Sequence, residues 1–340
     1  MKTKSFTETL LAWYSVYGRD LPWRRTRDPY AIWLSEVILQ QTRIAQGTAY
    51  WERFMQEFPT LEALAATPQD RVLRLWEGLG YYSRARNLHE AARSIVASGG
   101  FPTTLEGIRA LKGVGDYTAA AIGSIAFGLP AAVVDGNVYR VLSRYFGIET
   151  PVGTTAAKKE FTALAQSLLP AQAAGDFNQA IMDFGALQCT PASPDCLTCP
   201  LADTCRAHTS GRVAQLPVKT PKTTVQARYL SYIYLRCEGM TAIRQRGAGD
   251  IWQGLWEPLV LEHSDSARQD GWPEWLAQSR LKLLQKDFRH QLTHRTLHTD
   301  FYVYETEQRP TLPADYRWIQ ERDLADYAKP RLFLRLLELL

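Results

Sequence analysis

Cys189, Cys196, Cys199 and Cys205 stand in a C-x6-C-x2-C-x5-C pattern within the proline-rich stretch CTPASPDCLTCPLADTC. Four thiols this close in sequence can converge on one metal centre, so the fold must bring both ends of that loop together. Thiolates suit zinc and iron–sulfur clusters alike. With a single CxxC knuckle, the spacing does not choose between them. Such a cluster fits a reducing compartment rather than a disulfide framework. The fifth cysteine, Cys237, stands apart and reads as a small core residue. No apolar run approaches the ~18–20 residues that span a bilayer. The start, MKTKSFTETLL, lacks the apolar stretch of a signal peptide, so a cytoplasmic location is expected.

A chain of 340 residues, 46% hydrophobic, can bury a substantial core and suggests two domains. From residue 6 to about 188 the pattern is helical with glycine-rich breaks. Helices are expected near 6–17, 29–41, 61–66, 69–77, 84–97, 104–111, 116–127, 136–146, 155–168 and 176–187. In DPY, Asp28 caps one of them and Pro29 occupies its first turn. The polar, proline-containing segment 211–226 reads as a linker between domains spanning 1–210 and 227–340. Beyond it, ARYLSYIYLRC (227–237) and TDFYVYET (299–306) read as strands. Helices at about 273–286 and at the C-terminus complete a small α+β domain. Residues 1–225 carry 23 Lys and Arg against 19 Asp and Glu, whereas the remainder is neutral at 16 against 16. A polyanion would therefore meet the first part.

Three stretches carry chemistry beside the cysteines. LKGVGDYTA (111–119) ends one helix and starts another through two glycines, which let backbone approach a ligand closely. The N–H groups that follow favour an anion, and such a hairpin grips phosphate without reading sequence. WEGLGYYSRAR (76–86) is a similar break with two tyrosines and two arginines, suited to stacking plus phosphate contact. In AAVVDGNVYRVLSR, Asp135 sits at a helix N-terminus that keeps it ionised. In AIWLSEVIL the opposite holds: Glu36 lies among Ile32, Trp33, Val37 and Leu39, where desolvation raises its pKa. Two carboxylates in diverging environments mark an acid paired with an anionic stabiliser. The alternative for Glu36 is a buried salt bridge to an arginine of WRRTR (23–27).

Together LPWRR, WLSEVILQQTR, WEGLGYYSRARNLH, LKGVGDYTA, VDGNVYRVLSR, FNQAIMDFGALQC and the cysteine loop resemble adenine DNA glycosylases of the MutY family. That family lies in the helix–hairpin–helix superfamily that includes endonuclease III. The resemblance implies a mainly α helix–hairpin–helix core with a 4Fe–4S cluster on Cys189, Cys196, Cys199 and Cys205, then an α+β MutT/Nudix-like domain. It implies a monomer, nucleoid-associated, acting on double-stranded DNA that holds A opposite 8-oxoguanine or G. Glu36 would protonate adenine N7, and Asp135, supported by Asn137, would stabilise the positive sugar through a transient covalent adduct. Trp23, Arg24, Leu39 and Gln179 would line the pocket of the flipped base. Gln41 and Tyr81 would wedge into the duplex, and Lys112, Gly113, Val114 and Gly115 would hold its backbone. Tyr117 stands where strand-cutting relatives carry a Schiff-base lysine, implying a monofunctional enzyme. Leu292, Thr293 and His294 match the family's Phe-Ser-His loop for 8-oxoguanine, Thr293 keeping the hydroxyl while Leu292 replaces an aromatic. Glu274 is the one glutamate in WPEWLAQSRLKLLQ, so the Nudix fold should persist without hydrolysis.

Two departures bear on DNA affinity. CTPASPDC lacks a basic residue, and Asp116 puts a negative charge beside the hairpin, so weaker non-specific binding is expected. The rival readings are an endonuclease III-like lyase acting on oxidised pyrimidines and a lesion-binding protein without catalysis, for which Glu36 would be merely structural.

Overall fold

The computed structural model describes residues 5–220, 225–277 and 280–340, and they form two compact units. One holds residues 1–66 and 87–221, the other 67–86 and 222–340. The stretch 67–86, which falls inside the expected 1–210 domain, thus belongs with the C-terminal strands. The helices are α1 (Phe6–Tyr17), α2 (Pro29–Leu39), α3 (Ile44–Glu57), α4 (Leu61–Ala66), α5 (Gln69–Leu75), α6 (Ser83–Ala97), α7 (Leu105–Arg109), α8 (Asp116–Phe127), α9 (Gly136–Phe146), α10 (Thr155–Leu168), α11 (Ala174–Leu187) and α12 (Arg206–Thr209). Helix α3 was not anticipated: Gly47 interrupts its apolar pattern, though Ile44, Trp51, Phe54 and Phe58 keep helical spacing. That glycine lets Leu39 pack where a Cβ would sit only 2.6 Å from its Cδ2.

The first unit is built around α8 and α11. Residues Thr118–Ile125 of α8 are all buried, because DYTAAAIGSIAF is almost entirely small. Helix α11 packs against α1, α8 and α9. A Cβ on Gly175 would stand 2.8 Å from the Ser124 carbonyl oxygen, so the glycine permits the contact with α8. Asn178, fully buried, accepts from Val133 N–H at 3.0 Å and donates to Ala131 C=O at 2.8 Å and Ser124 Oγ at 2.8 Å. It thereby fixes the extended run Ala131–Val134 that leads into Asp135.

The second unit is a seven-stranded mixed sheet: β1 (Gln226–Cys237), β2 (Met240–Gln245), β3 (Trp256–Glu257), β4 (Leu259–His263), β5 (Lys282–Gln291), β6 (Arg295–Glu305) and β7 (Tyr316–Gln320), followed by α13 (Arg331–Leu337). β1 and β6 run parallel at its centre, with antiparallel neighbours outside. Among the described residues of the span, 273–277 and 280–286, the helix expected at 273–286 is not formed. Pro273–Leu276 make a turn, and Lys282 onward pairs with β6. The apolar spacing of Trp275, Leu276, Leu281 and Leu284 mimics a helix, but the β6 edge needs backbone partners and takes Lys282–Gln291 instead. Glu274 therefore lies in a turn.

Candidate active site

Helix α2 begins as expected, with Asp28 accepting from Tyr30 N–H at 3.0 Å. Eight of its residues between Tyr30 and Ile38 are buried, and half-buried Glu36 is the one charged group between them. Its carboxyl opens into a cavity of about 310 Å³. Trp23, Arg24, Leu39, Tyr117, Asp135, Asn137 and Gln179 line the same cavity. Every residue that the sequence offered for catalysis or for the base pocket is therefore gathered in one place. That volume is at the small end for ligand pockets, enough for one base and its sugar.

The electrostatics of the two carboxylates differ in kind. Burial pushes the Glu36 carboxyl up to about 7; Tyr117 hydrogen-bonds it and Arg24 attracts it, both opposing the rise, while Asp135 adds to it. The salt-bridge alternative is not what forms. Arg24 bonds Asp183, Arg25 bonds Asp20, and Arg27 donates to the Ile125 carbonyl at 2.7 Å. Asp135 caps α9, accepting from Val138 N–H at 2.8 Å and from Asn137 Nδ2 at 2.8 Å. Asn137 Oδ1 in turn accepts from Arg140 at 2.8 Å. Tyr117 faces both acids, its hydroxyl 3.3 Å from Met182 Sδ.

Several wall residues were not foreseen: Arg19, Ser35, Thr42, Arg43, Met182 and, behind the wall, Asp183. Asp183 is fully buried and clamped by Arg19 and Arg24. Its signal was available, since AIMDFGAL is an apolar helical run broken by one acid, as AIWLSEVIL is.

The hairpin is equally specific. Gly113 has φ +76°, and a Cβ there would meet Asn87 Cβ at 2.7 Å. Around Gly115, the N-cap of α8, there is open space. Val114 is buried, while Lys112 stands near Glu90 at 3.7 Å. The charge of Asp116 is not bare: Lys158 at 2.7 Å and Arg109 at 3.3 Å offset it. Half of the expectation of weakened DNA affinity thereby loses its basis. Gln41 has φ +57° and Tyr81 φ +46°, a left-handed backbone that non-glycine residues rarely keep without cause. In the second unit Leu292 packs on the core, Thr293 and His294 are exposed in the β5–β6 turn, and Tyr81 Oη hydrogen-bonds Thr293 Oγ1.

All four clustered thiols line a second cavity beside Arg144. Arg144 reaches Cys189 Sγ at 3.4 Å and the Thr190 carbonyl at 2.7 Å, and Arg140 donates to the Cys189 carbonyl at 2.7 Å. Burial pushes the Cys199 thiol up to about 11 and raises Cys196 and Cys205. Positive charge bound among them would favour the thiolate form. None is in a disulfide, and Cys237 is buried apart.

Residues 34–170 match the family described as HhH-GPD superfamily base excision DNA repair protein, and 231–339 match the NUDIX domain. An adenine DNA glycosylase of Buchnera aphidicola subsp. Baizongia pistaciae (strain Bp) is 33% identical over 88% of this chain and 85% of its own. The Homo sapiens adenine DNA glycosylase is 47% identical over 60% of this chain but only 39% of its own length. Among solved structures, a thermostable thymine-DNA glycosylase superposes with TM-score 0.56 at 34% identity, covering 60% of this chain and 95% of that one. A non-covalent endonuclease III–DNA complex gives TM-score 0.52 at 23% identity over 60% and 94%, a likeness of fold.

Proposed function

The chain belongs to the adenine DNA glycosylase family, and from that premise we propose that it removes adenine paired with 8-oxoguanine or guanine in double-stranded DNA, leaving an abasic site. The observation that carries the reading is that Glu36 and Asp135 open on one cavity with their environments pushed apart. With its pKa near 7, Glu36 is protonated in a large fraction of molecules at neutral pH, as a general acid should be. Adenine, flipped out of the stack, takes that proton at N7. The C1′–N9 electron pair then leaves with the base, and positive charge develops on the sugar. Asp135, held by two hydrogen bonds, faces that charge and forms a transient adduct that water hydrolyses. Tyr117 has no amine, so no Schiff base forms and the strand is left intact.

Gln41 and Tyr81 are assigned to the opened duplex, their strained backbones fitting residues held ready for it. Lys112, Gly113, Val114 and Gly115 hold phosphate. The exposed Thr293, with Leu292 and His294 beside it, reads the opposite base. Cys189, Cys196, Cys199 and Cys205 would hold a 4Fe–4S cluster. All four sulfurs line one cavity, and a set of four thiols suits an iron–sulfur cluster. When bound, the cluster supplies a covalent tie across the loop. Among the described residues no helix is long and apolar enough to cross a membrane.

Single-turnover adenine release from duplexes that differ only in the opposite base is the test. Excision faster opposite 8-oxoguanine than opposite guanine supports the reading; no release from either, with the cluster intact, refutes it. Borohydride should trap no enzyme–DNA adduct, since trapping would indicate a lyase.

A further inference from the structure

Arg24 faces two carboxylates and is bonded to one. Its Nη1 lies 2.7 Å from Asp183 Oδ2 and its Nη2 2.8 Å from Oδ1, a two-pronged contact closed off from water by complete burial of the acid. Arg19 completes the clamp through Nε and its backbone N–H, each at 2.9 Å, and the Arg19 carbonyl accepts from Arg24 at 3.0 Å. Tyr14 of α1 lies under the Arg24 guanidinium at 5.7 Å, and Asp176 is the remaining charge near that ring. Around Glu36 the charged or titratable neighbours that act on it are Tyr117 from α8, Asp135 at the start of α9, and Arg24, while Arg19 and Arg43 also line the cavity. Asp183 touches none of the reacting groups, and Arg24 is what it shares with Glu36.

We infer that Asp183 is a positioning residue: by clamping Arg24 and Arg19 it keeps the Arg24 guanidinium on the pocket wall and away from Glu36, so that the acid stays protonated. The inference rests on Glu36 being the proton donor to the base. Burial alone would raise the Asp183 carboxyl, but hydrogen bonds from Arg24 and Arg19 outweigh it and hold it ionised. An ionised Asp183 cancels the Arg24 charge. Without it, the guanidinium acts on Glu36 with its full charge, and pairing there would leave Glu36 deprotonated and unable to serve.

The two partners then predict opposite displacements of the pH profile. Single-turnover excision is followed from about pH 5 to about pH 9 in the cluster-loaded protein and in D183N, R24Q and D183N/R24Q. In D183N the alkaline limb moves down by about one pH unit, roughly tenfold less excision at alkaline pH with little change in acid. In R24Q the limb moves up, because an attraction that favours the anion is gone. The double variant keeps the limb of R24Q, since Asp183 has no other route to Glu36. A D183N that loses rate evenly at all pH values, or a double variant displaced from R24Q, overturns the inference. Should D183N not fold, R24Q decides alone, and an unmoved or lowered limb there overturns it. Failure of the catalytic reading itself would look different, as wild-type protein releasing no adenine.

Discussion

A carboxyl kept uncharged by its surroundings leaves a mark on stability as well as on catalysis. The Glu36 pKa of about 7 lies above the ordinary 4.5, so the native state favours the proton that the unfolded chain has already lost between these values. The native state is therefore unpenalised below about pH 4.5. Between about pH 4.5 and about pH 7 it loses stability, by roughly 3–4 kcal/mol at most, and above that the loss is constant. Glu36→Gln removes the penalty. The variant should melt like wild type in acid and above it at alkaline pH, while binding the mispaired duplex and releasing no adenine. A melting difference that does not change with pH would contradict the buried-acid account. Glu36 was legible because a lone acid in an apolar helix has few explanations. Asp183 carries the same signal in sequence, but only tertiary structure shows that its partners come from Arg19 and Arg24, more than 150 residues earlier.

Helices here are set by places where side chains are missing. A Cβ on Gly185 of α11 would lie 2.7 Å from Asn137 Cβ and 3.1 Å from its carbonyl oxygen. Gly185→Ala must therefore push α9 away and carry Asn137 and Asp135 with it. Excision should fall at least tenfold, a loss that sub-ångström misplacement at a reacting centre can produce. Single-turnover rates at saturating enzyme check this, and an unchanged rate would show that the α9–α11 spacing does not govern the site. At the hairpin, Gly113→Ala combines a positive φ with a clash on Asn87. Its effect belongs to DNA affinity: roughly tenfold weaker binding whatever base lies opposite, with a shallower salt dependence. Equal affinity for wild type and variant would remove Gly113 from the phosphate contact. Both glycines stand in stretches that sequence singled out, but only Gly113 announced itself, through the GVG turn. Gly185 lacks a turn to mark it, and its role is the distance between two helices.

Across the first unit, α9 joins the two chemical centres. Asp135 and Asn137 stand at its start, Arg140 links Asn137 to the Gly185 and Cys189 carbonyls, and Arg144 spans to the cysteine loop. Arg140→Leu would leave these acceptors unpaired inside the protein, a penalty of about 1–3 kcal/mol for each buried group. On the proposed cluster assignment, visible absorption and adenine excision should decline together in that variant. Loss of excision with full iron content would confine Arg140 to the catalytic side. Cys199→Ser should lose the brown chromophore and melt earlier, whereas a colourless, fully stable wild type would speak for zinc or no metal.

Composition, spacing and local pattern determined the helical first part, the cysteine loop, the hairpin turn and the choice of Glu36 and Asp135, which the fold brings to one cavity. These depend on residues near one another in sequence, where capping, glycine turns and apolar periodicity act. Tertiary structure decided the rest. It placed 67–86 with the C-terminal strands, turned an apparent helix at 273–286 into a turn and an edge strand, and neutralised Asp116 with Lys158. It also gave Arg24 to Asp183 instead of Glu36. Which partner a charge or a strand edge finds depends on what the folded chain brings within a few ångströms, and no periodicity along the sequence encodes that distance.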